Sequence, residues 1–204
     1  SDLNNINHWL ISNKLQHHSS KTKFMYVASK HNLNKTNDDT PVMLNGQLQP
    51  IPRIHSIPCL GVTLDETLSW EEHIEAICKK VGAGMGMLKR IKPFVPVQML
   101  QPIYSALIQP YFDYCSPLWD TCKKTLKDKL QKYQNRAARI IAGASYGIRS
   151  ADVLQALEWE NLESRRIITK ATLMYKILND YSTPNLKELL MKRNSIQTFY
   201  DLRN

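Results

Sequence analysis

From Ser69 onward nearly every large apolar residue falls on a helical repeat, whereas the apolar runs before it are short and broken by proline. That switch limits the chain to a small strand-bearing front end followed by a helical back half. Trp70, Ile74, Ile77, Cys78, Val81 and Met85 mark one buried face of a helix. Ser69-Trp70-Glu71-Glu72 before it reads as a capping box, which satisfies free amides of the first turn. Gly82, Gly84 and Gly86 weaken this helix and predict the close approach of another backbone. Pro96 opens a segment through Leu100, Ile103, Tyr104, Leu107 and Ile108, in which Pro102 and Pro110 are expected to bend or interrupt the helix. A long helix is predicted at 123–142, ended by Gly143. Ser150 is placed as the cap of a short helix through Leu157, and Asn161 as the cap of one reaching about Asn179. Pro184 to Lys192 reads as a last weak helix, and residues 193–204 as a loose polar tail.

In the front end, Leu3, Ile6, Trp9 and Leu10 recur at helical spacing and predict an amphipathic helix over 2–15. Three extended runs follow. Lys23 to Ala28 is the first. Val42 to Leu48 is the second, read as a hairpin because Asn45-Gly46 supplies the positive φ angles of a tight turn. Ile54 to Leu64 is the third, with Gly61 marking a close approach or a bulge. The expected fold is α+β and mostly helical, divided into residues 1–68, 69–192 and the tail.

Charge is unevenly placed along the 204 residues. The net charge is +9, yet residues 1–76 carry 6 basic and 8 acidic groups, while residues 123–176 carry 12 and 5. Such a block favours a polyanionic partner, nucleic acid before a membrane surface. No run approaches the roughly 20 apolar residues of a membrane span, and no signal peptide is legible. The four cysteines, Cys59, Cys78, Cys115 and Cys122, are widely spaced with no C-x-x-C pair, so reduced thiols in an intracellular chain are expected.

The order of the motifs carries a resemblance. It runs through Trp9-Leu10, Asn13-Lys14-Leu15 and Lys21-Thr22-Lys23. Next come Leu60-Gly61-Val62-Thr63-Leu64-Asp65 and Leu68-Ser69-Trp70-Glu71-Glu72-His73-Ile74. Leu107-Ile108-Gln109-Pro110-Tyr111-Phe112-Asp113-Tyr114 with Leu118-Trp119 follows, then Leu130 to Ile141. The series resembles the reverse transcriptase of non-long-terminal-repeat retrotransposons, the jockey-like elements in particular. The resemblance implies a fragment of an RNA-directed DNA polymerase that begins just after the paired metal-binding aspartates, in keeping with a chain that opens on Ser1. On that basis residues 1–68 would be the trailing palm, and Lys21 would lie near the incoming nucleotide as a general acid. Leu60, Gly61 and Val62 would form the primer-grip strand, and the region from Ser69 the thumb and its helical extension. Mg²⁺ would be needed only with the upstream palm, which is also an expected partner. His17-His18 stands where the family usually has an Asn. The alternative reading is a non-catalytic nucleic-acid-binding or protein-interaction module of a decayed element.

Local chemistry does not supply a complete active site. Asp38-Asp39 lies in a polar turn rather than on the rigid apolar hairpin on which polymerases hold two metal ions, and is read as surface loop. Asp65-Glu66 reads as a turn into the capped helix. His17-His18 lacks the spacing of a zinc site, and His73 reads as packing or surface. No metal site is therefore expected, and the chain alone is expected not to polymerise. The informative segment is the helix at 123–142. Leu126, Leu130, Tyr133, Ala137, Ile140 and Ile141 share one face, and Lys129, Lys132, Arg136 and Arg139 recur at spacings of 3, 4 and 3 along a flank. Gln131, Gln134, Asn135 and Ala138 take the other flank. The basic stripe is the expected contact to a phosphate backbone, which the resemblance implies is that of an RNA template paired with a DNA primer. Lys79, Lys80, Lys89, Arg90 and Lys92 form a second, less orderly cluster. Trp70, Trp119 and Trp159 are expected as core anchors.

Overall fold

A computed structural model describes residues 2–15, 18, 21–35, 42–43 and 50–190. The Asn45-Gly46 hairpin, the Asp38-Asp39 loop, His17 and the tail from Arg193 lie outside the described residues. The fold is α+β and mostly helical, as the patterning predicts. Its elements are α1 (Asp2–Ser12), α2 (Lys30–Lys35), β1 (Ser56–Cys59), β2 (Val62–Asp65) and α3 (Glu71–Ile91), then α4 (Val97–Leu107), α5 (Gln109–Asp113) and α6 (Ser116–Trp119). The long α7 (Lys124–Ala142) precedes α8 (Ser150–Ala156), α9 (Leu162–Leu178) and α10 (Pro184–Glu188). The chain divides into two compact units, Ser1–Lys79 with Cys122–Leu126, and Lys80–Thr121 with Lys127–Asn204.

In the first unit the strand expectations are only partly met. Lys23 to Ala28 forms no strand; Phe24 makes a single parallel bridge to Arg53. Phe24 N donates to Pro52 O, and Ile54 N donates to Phe24 O. Pro52 has no N–H, so the ladder cannot extend back past Phe24 towards Thr22, and at the far end of the run Ala28 N donates to Glu66 O instead. The Ile54 to Leu64 run is not one strand but a hairpin, with β1 antiparallel to β2 in the register Cys59 opposite Val62 and Ser56 opposite Asp65. Leu60 at φ 46 and Gly61 at φ 84 make its two-residue turn. Gly61 is therefore a turn residue rather than a bulge, because a two-residue hairpin loop of this hand needs positive φ at both positions. His73 is buried and accepts at Nδ1 from Thr63 N at 3.3 Å, which ties β2 to the first turn of α3. Ile51, Val62, Trp70, Ile74, Ile77, Cys78 and Cys122 are the buried apolar residues of this unit among the described residues. The helix α1 forms as predicted, yet it buries no residue.

Asp65, rather than the Ser69–Glu72 box, organises the entry to α3. Its Oδ1 accepts from Thr67 N, Thr67 Oγ1 and Ser69 N, and its Oδ2 from Ser69 Oγ and Trp70 N, at 2.6–3.3 Å. As an acceptor, Ser69 Oγ takes Glu71 N, at 3.3 Å. Burial alone would raise the Asp65 carboxyl, but the hydrogen bonds from Thr67, Ser69 and Trp70 win and lower it from 3.8 to about 2. A depressed folded pKa gives stability that is complete above the unfolded value and is lost as pH falls from about 4 towards 2. Asp65→Asn is expected to cost roughly 2 kcal/mol at neutral pH and to flatten the acid limb between those values. Urea midpoints measured from pH 7 to pH 2 check both; parallel curves for parent and variant would refute it.

In the second unit the core gathers Val81, Met85 and Leu88 of α3, Leu100 and Tyr104 of α4, Ile108, Phe112 and Trp119, with Leu130, Ala137 and Ile141 of α7. Gly84 is the glycine that close packing requires: a Cβ there would meet Ile108 Cγ1 at 2.7 Å, while Gly86 has nothing within 4 Å. The close neighbour is a side chain, not the backbone predicted. Pro110 opens α5 after a break at Ile108, whereas Pro102 sits inside an uninterrupted α4. Gly143 ends α7 at φ 67, as expected, and Lys92 Nζ donates to Ile140 O in the last turn, where a cation also complements the helix dipole. Asn161 caps α9 by accepting from Ser164 N at 2.8 Å, as predicted. Ser150 is not the cap of α8; Arg149 holds that position, and the Ser150 hydroxyl accepts from Arg139 instead.

Candidate nucleic-acid interface

The exposed cations of α7 are fewer than its sequence shows. Its buried residues are Leu130, Gln134, Ala137, Ala138 and Ile141, so the core face is rotated towards the amide flank, and Tyr133 and Ile140 are only half-buried. The amides are consumed in packing. Gln131 Nε2 donates to Gln134 Oε1 and Asn135 Oδ1, Gln131 Oε1 accepts from Leu162 N, and Gln134 Nε2 donates to Glu160 O, all at 2.7–2.9 Å. These bonds satisfy backbone groups at the start of α9 that would otherwise be left without partners.

On the far side the basic stripe divides. Lys132 and Arg136 are exposed and take no partner among the described residues, while Lys129 is half-buried. Arg139 is already engaged: its guanidinium donates to Ser145 O and Ser150 Oγ, each at 2.9 Å, and lies 5.7 Å from the centre of the Tyr146 ring. Tyr146 is 83% exposed, so a cation and an open aromatic face sit together beside the stripe. Sequence reading missed this tyrosine; its place beyond Gly143, in the loop after a basic helix, was the available signal.

Much of the positive block is held by carboxylates outside it. Asp120, with a side chain 10% exposed, takes Arg166 Nε at 2.7 Å, Lys127 at 3.1 Å and also Lys170. Asp113 takes Arg165 at 2.6 Å, and in the first unit Glu71 takes Lys123 at 2.7 Å. Five cations of the 123–176 block thus serve folding, while Lys132 and Arg136 of the stripe stay exposed. In the second cluster, Lys92 is spent on Ile140, Lys80 lies over the Tyr111 ring at 5.5 Å, and Lys89 and Arg90 are exposed.

The remaining site residues of the first unit are surface features. Lys21 is exposed in a turn whose backbone N–H donates to His18 O, and Thr22 Oγ1 bonds the same carbonyl at 3.0 Å. Leu60 and Gly61 form the exposed hairpin tip, whereas Val62 is buried beneath it. Among the described residues no three His, Cys, Asp or Glu side chains converge to hold a metal ion, and no helix is long and apolar enough to cross a membrane.

No family model and no solved structure matches the chain. Over 128 residues, 61% of the chain, it is 25% identical to the probable RNA-directed DNA polymerase from transposon BS of Drosophila melanogaster. Over 113 residues, 53% of the chain, it is 25% identical to the probable RNA-directed DNA polymerase from transposon X-element of the same species. The chain is similar to transposon RNA-directed DNA polymerases. The matches span 14% and 12% of those relatives, so the chain corresponds to a small part of either. The likeness agrees with the retrotransposon resemblance carried by the motifs.

Proposed function

We propose that the chain is the C-terminal part of a retrotransposon reverse transcriptase, of the non-long-terminal-repeat kind, and that it holds an RNA template and DNA primer chiefly by their phosphates. The first unit acts as the trailing palm, with the Leu60-Gly61-Val62 hairpin tip at the primer end and Lys21 near the leaving pyrophosphate as its proton donor. The second unit acts as thumb and extension, with α7 tracking the backbone. Paired aspartates in an upstream palm supply the nucleotidyl-transfer chemistry. The observation that carries the reading is the exposed Lys132–Arg136 pair, left clear while its neighbours are bound into the fold, in a chain similar to transposon polymerases. A guanidinium can grip a phosphate with two parallel hydrogen bonds, which suits Arg136 to this contact.

The test is a Lys132→Gln, Arg136→Gln double variant titrated with an RNA–DNA hybrid at several salt concentrations. Glutamine keeps helix propensity, and Arg139 is left alone because it anchors the loop. Each phosphate contact contributes about −0.9 to the log–log salt slope on B-form DNA, so the variant should bind more weakly with a slope shallower by roughly 1.8. The loss should be equal across sequences, since phosphate contacts do not read bases. Unchanged affinity and slope in a folded variant would leave these cations as solvated surface and overturn the proposal.

A further inference from the structure

The helix α9 turns its charges inward and its carbon outward. Its buried residues are Leu162, Arg166 and Ile177. Arg165 reaches Asp113, and Arg166 and Lys170 reach Asp120, so three of its cations are bound to carboxylates of the fold. Meanwhile Ile167 is 56% exposed, Met174 45% and Leu178 47%, and Ala171 between them is exposed as well. At about 100° per residue these four lie within roughly 60° of one another, as a single stripe down the helix. Ile168 and Tyr175 widen the stripe on one side, and Tyr181 stacks beside Tyr175 with ring centres 6.4 Å apart. From Ile167 to Leu178 the stripe carries no charged side chain, and the cation nearest to it, Lys170, is held by Asp120. A surface helix ordinarily sets its apolar stripe on the core and its charges in water. The reversal in α9 marks a face that another surface covers.

We infer that this face pairs with the same face of a second copy of the chain, the two α9 helices running antiparallel about a two-fold axis. The inference is independent of the nucleic-acid reading above. The spacing fixes the occupant. Ile167, Ala171, Met174 and Leu178 follow one another at intervals of 4, 3 and 4, a coiled-coil seam that reads the same from either end. Set antiparallel, Ile167 meets the partner's Leu178 and Ala171 meets the partner's Met174, so the long thioether fills the space the alanine leaves. A parallel pair would set alanine on alanine and leave a gap there. Self-complementarity of this kind is what a two-fold contact requires, because every contact in it occurs twice. The area is sufficient: Ile167, Ile168, Met174, Tyr175, Leu178 and Tyr181 leave roughly 600 Å² open on each copy, so a pair buries about 1,200 Å², the lower edge of specific interfaces. Charge argues against the other occupants. Nucleic acid needs cations opposite its phosphates, and a membrane surface calls for lysine or arginine along the rim of the apolar face. Lys176, the exposed cation nearest the end of α9, lies on the opposite side of the helix from Ile167.

Sedimentation of the full chain over a hundredfold concentration range should show a monomer–dimer equilibrium with a Kd of about 10 μM, as suits so small an interface. Ile167→Lys and Leu178→Glu alter exposed positions and keep good helix formers, so each variant should stay folded by circular dichroism. Each should weaken pairing by about tenfold or more, because the contact buries the new charge on both sides of the axis. An equal mixture of the two variants should pair again, to within about threefold of the parent, since the antiparallel register sets position 167 of one chain against position 178 of the other with opposite charges. A parent that stays monomeric at the highest concentration overturns the inference and leaves the face to a different protein surface. Pairing untouched by Ile167→Lys overturns it by excluding this face. A mixture that stays monomeric overturns it by excluding the antiparallel register.

Discussion

Asp120→Ala is expected to lower the stability of the second unit by about 3–5 kcal/mol, because it strands a buried cation. The Arg166 side chain is 7% exposed and Asp120 is its carboxylate, at 2.7 Å. The guanidinium also lies 6.0 Å from the centre of the Trp119 ring, and its Nη1 has no hydrogen-bond partner among the described residues. Removing the carboxylate therefore leaves a desolvated charge with an aromatic face as its nearest compensation. Lys170 contributes far less; at 46% exposure it can return to water, and Lys170→Met is expected to cost under about 1 kcal/mol. Burial works to raise the Asp120 carboxyl, but hydrogen bonds from Lys170 and Lys127 and the charges of Lys127 and Arg166 outweigh it and hold it below its ordinary value of 3.8. Its contribution is complete above that value and is lost as pH falls through the lower folded one. Urea unfolding at neutral pH and across the acid limb reads both effects. A loss under 1 kcal/mol for Asp120→Ala would show that water, not Asp120, solvates Arg166.

Trp119→Ala is expected to cost a similar amount, about 3–5 kcal/mol, by opening a cavity at a fully buried site. The indole is more than volume. Its Nε1 donates to Tyr114 O at 2.9 Å and closes a turn in which Cys115 takes φ 51. Trp119→Phe should keep most of the packing and lose that hydrogen bond, at about 1–3 kcal/mol, by leaving the Tyr114 carbonyl without its donor. Since Arg166 faces both Trp119 and Asp120, the double variant should not be additive. Equal losses for the Phe and Ala variants would mean the bond, not the volume, sets the cost; a Phe variant as stable as the parent would mean the reverse.

The long helices were legible because their information is local. The apolar spacing of α3 and the cap Asn161 sit within a few residues of what they determine, as does the left-handed stop at Gly143. Hairpin geometry was partly legible: Gly61 announced a special backbone position, but not whether the chain turned there or bulged. The Lys23 to Ala28 run has strand composition and still makes only one bridge: Pro52 stops the ladder behind Phe24, and Ala28 N donates to Glu66 O, so strand composition did not supply a continuous partner.

An α+β, mostly helical chain, its helix ends at Gly143 and Asn161, the cationic stripe on α7 and the transposon-polymerase resemblance can all be read from residue order alone. Tertiary structure alone decided which charges are surface and which are fold. Asp120 reaches Arg166, Asp113 reaches Arg165 and Lys92 reaches Ile140, each across more than forty residues. Helical periodicity places a side chain on a face, but only the packed neighbours decide whether that face meets water. Hence Arg139, indistinguishable from Arg136 in the repeat, holds a loop, while Arg136 stays exposed.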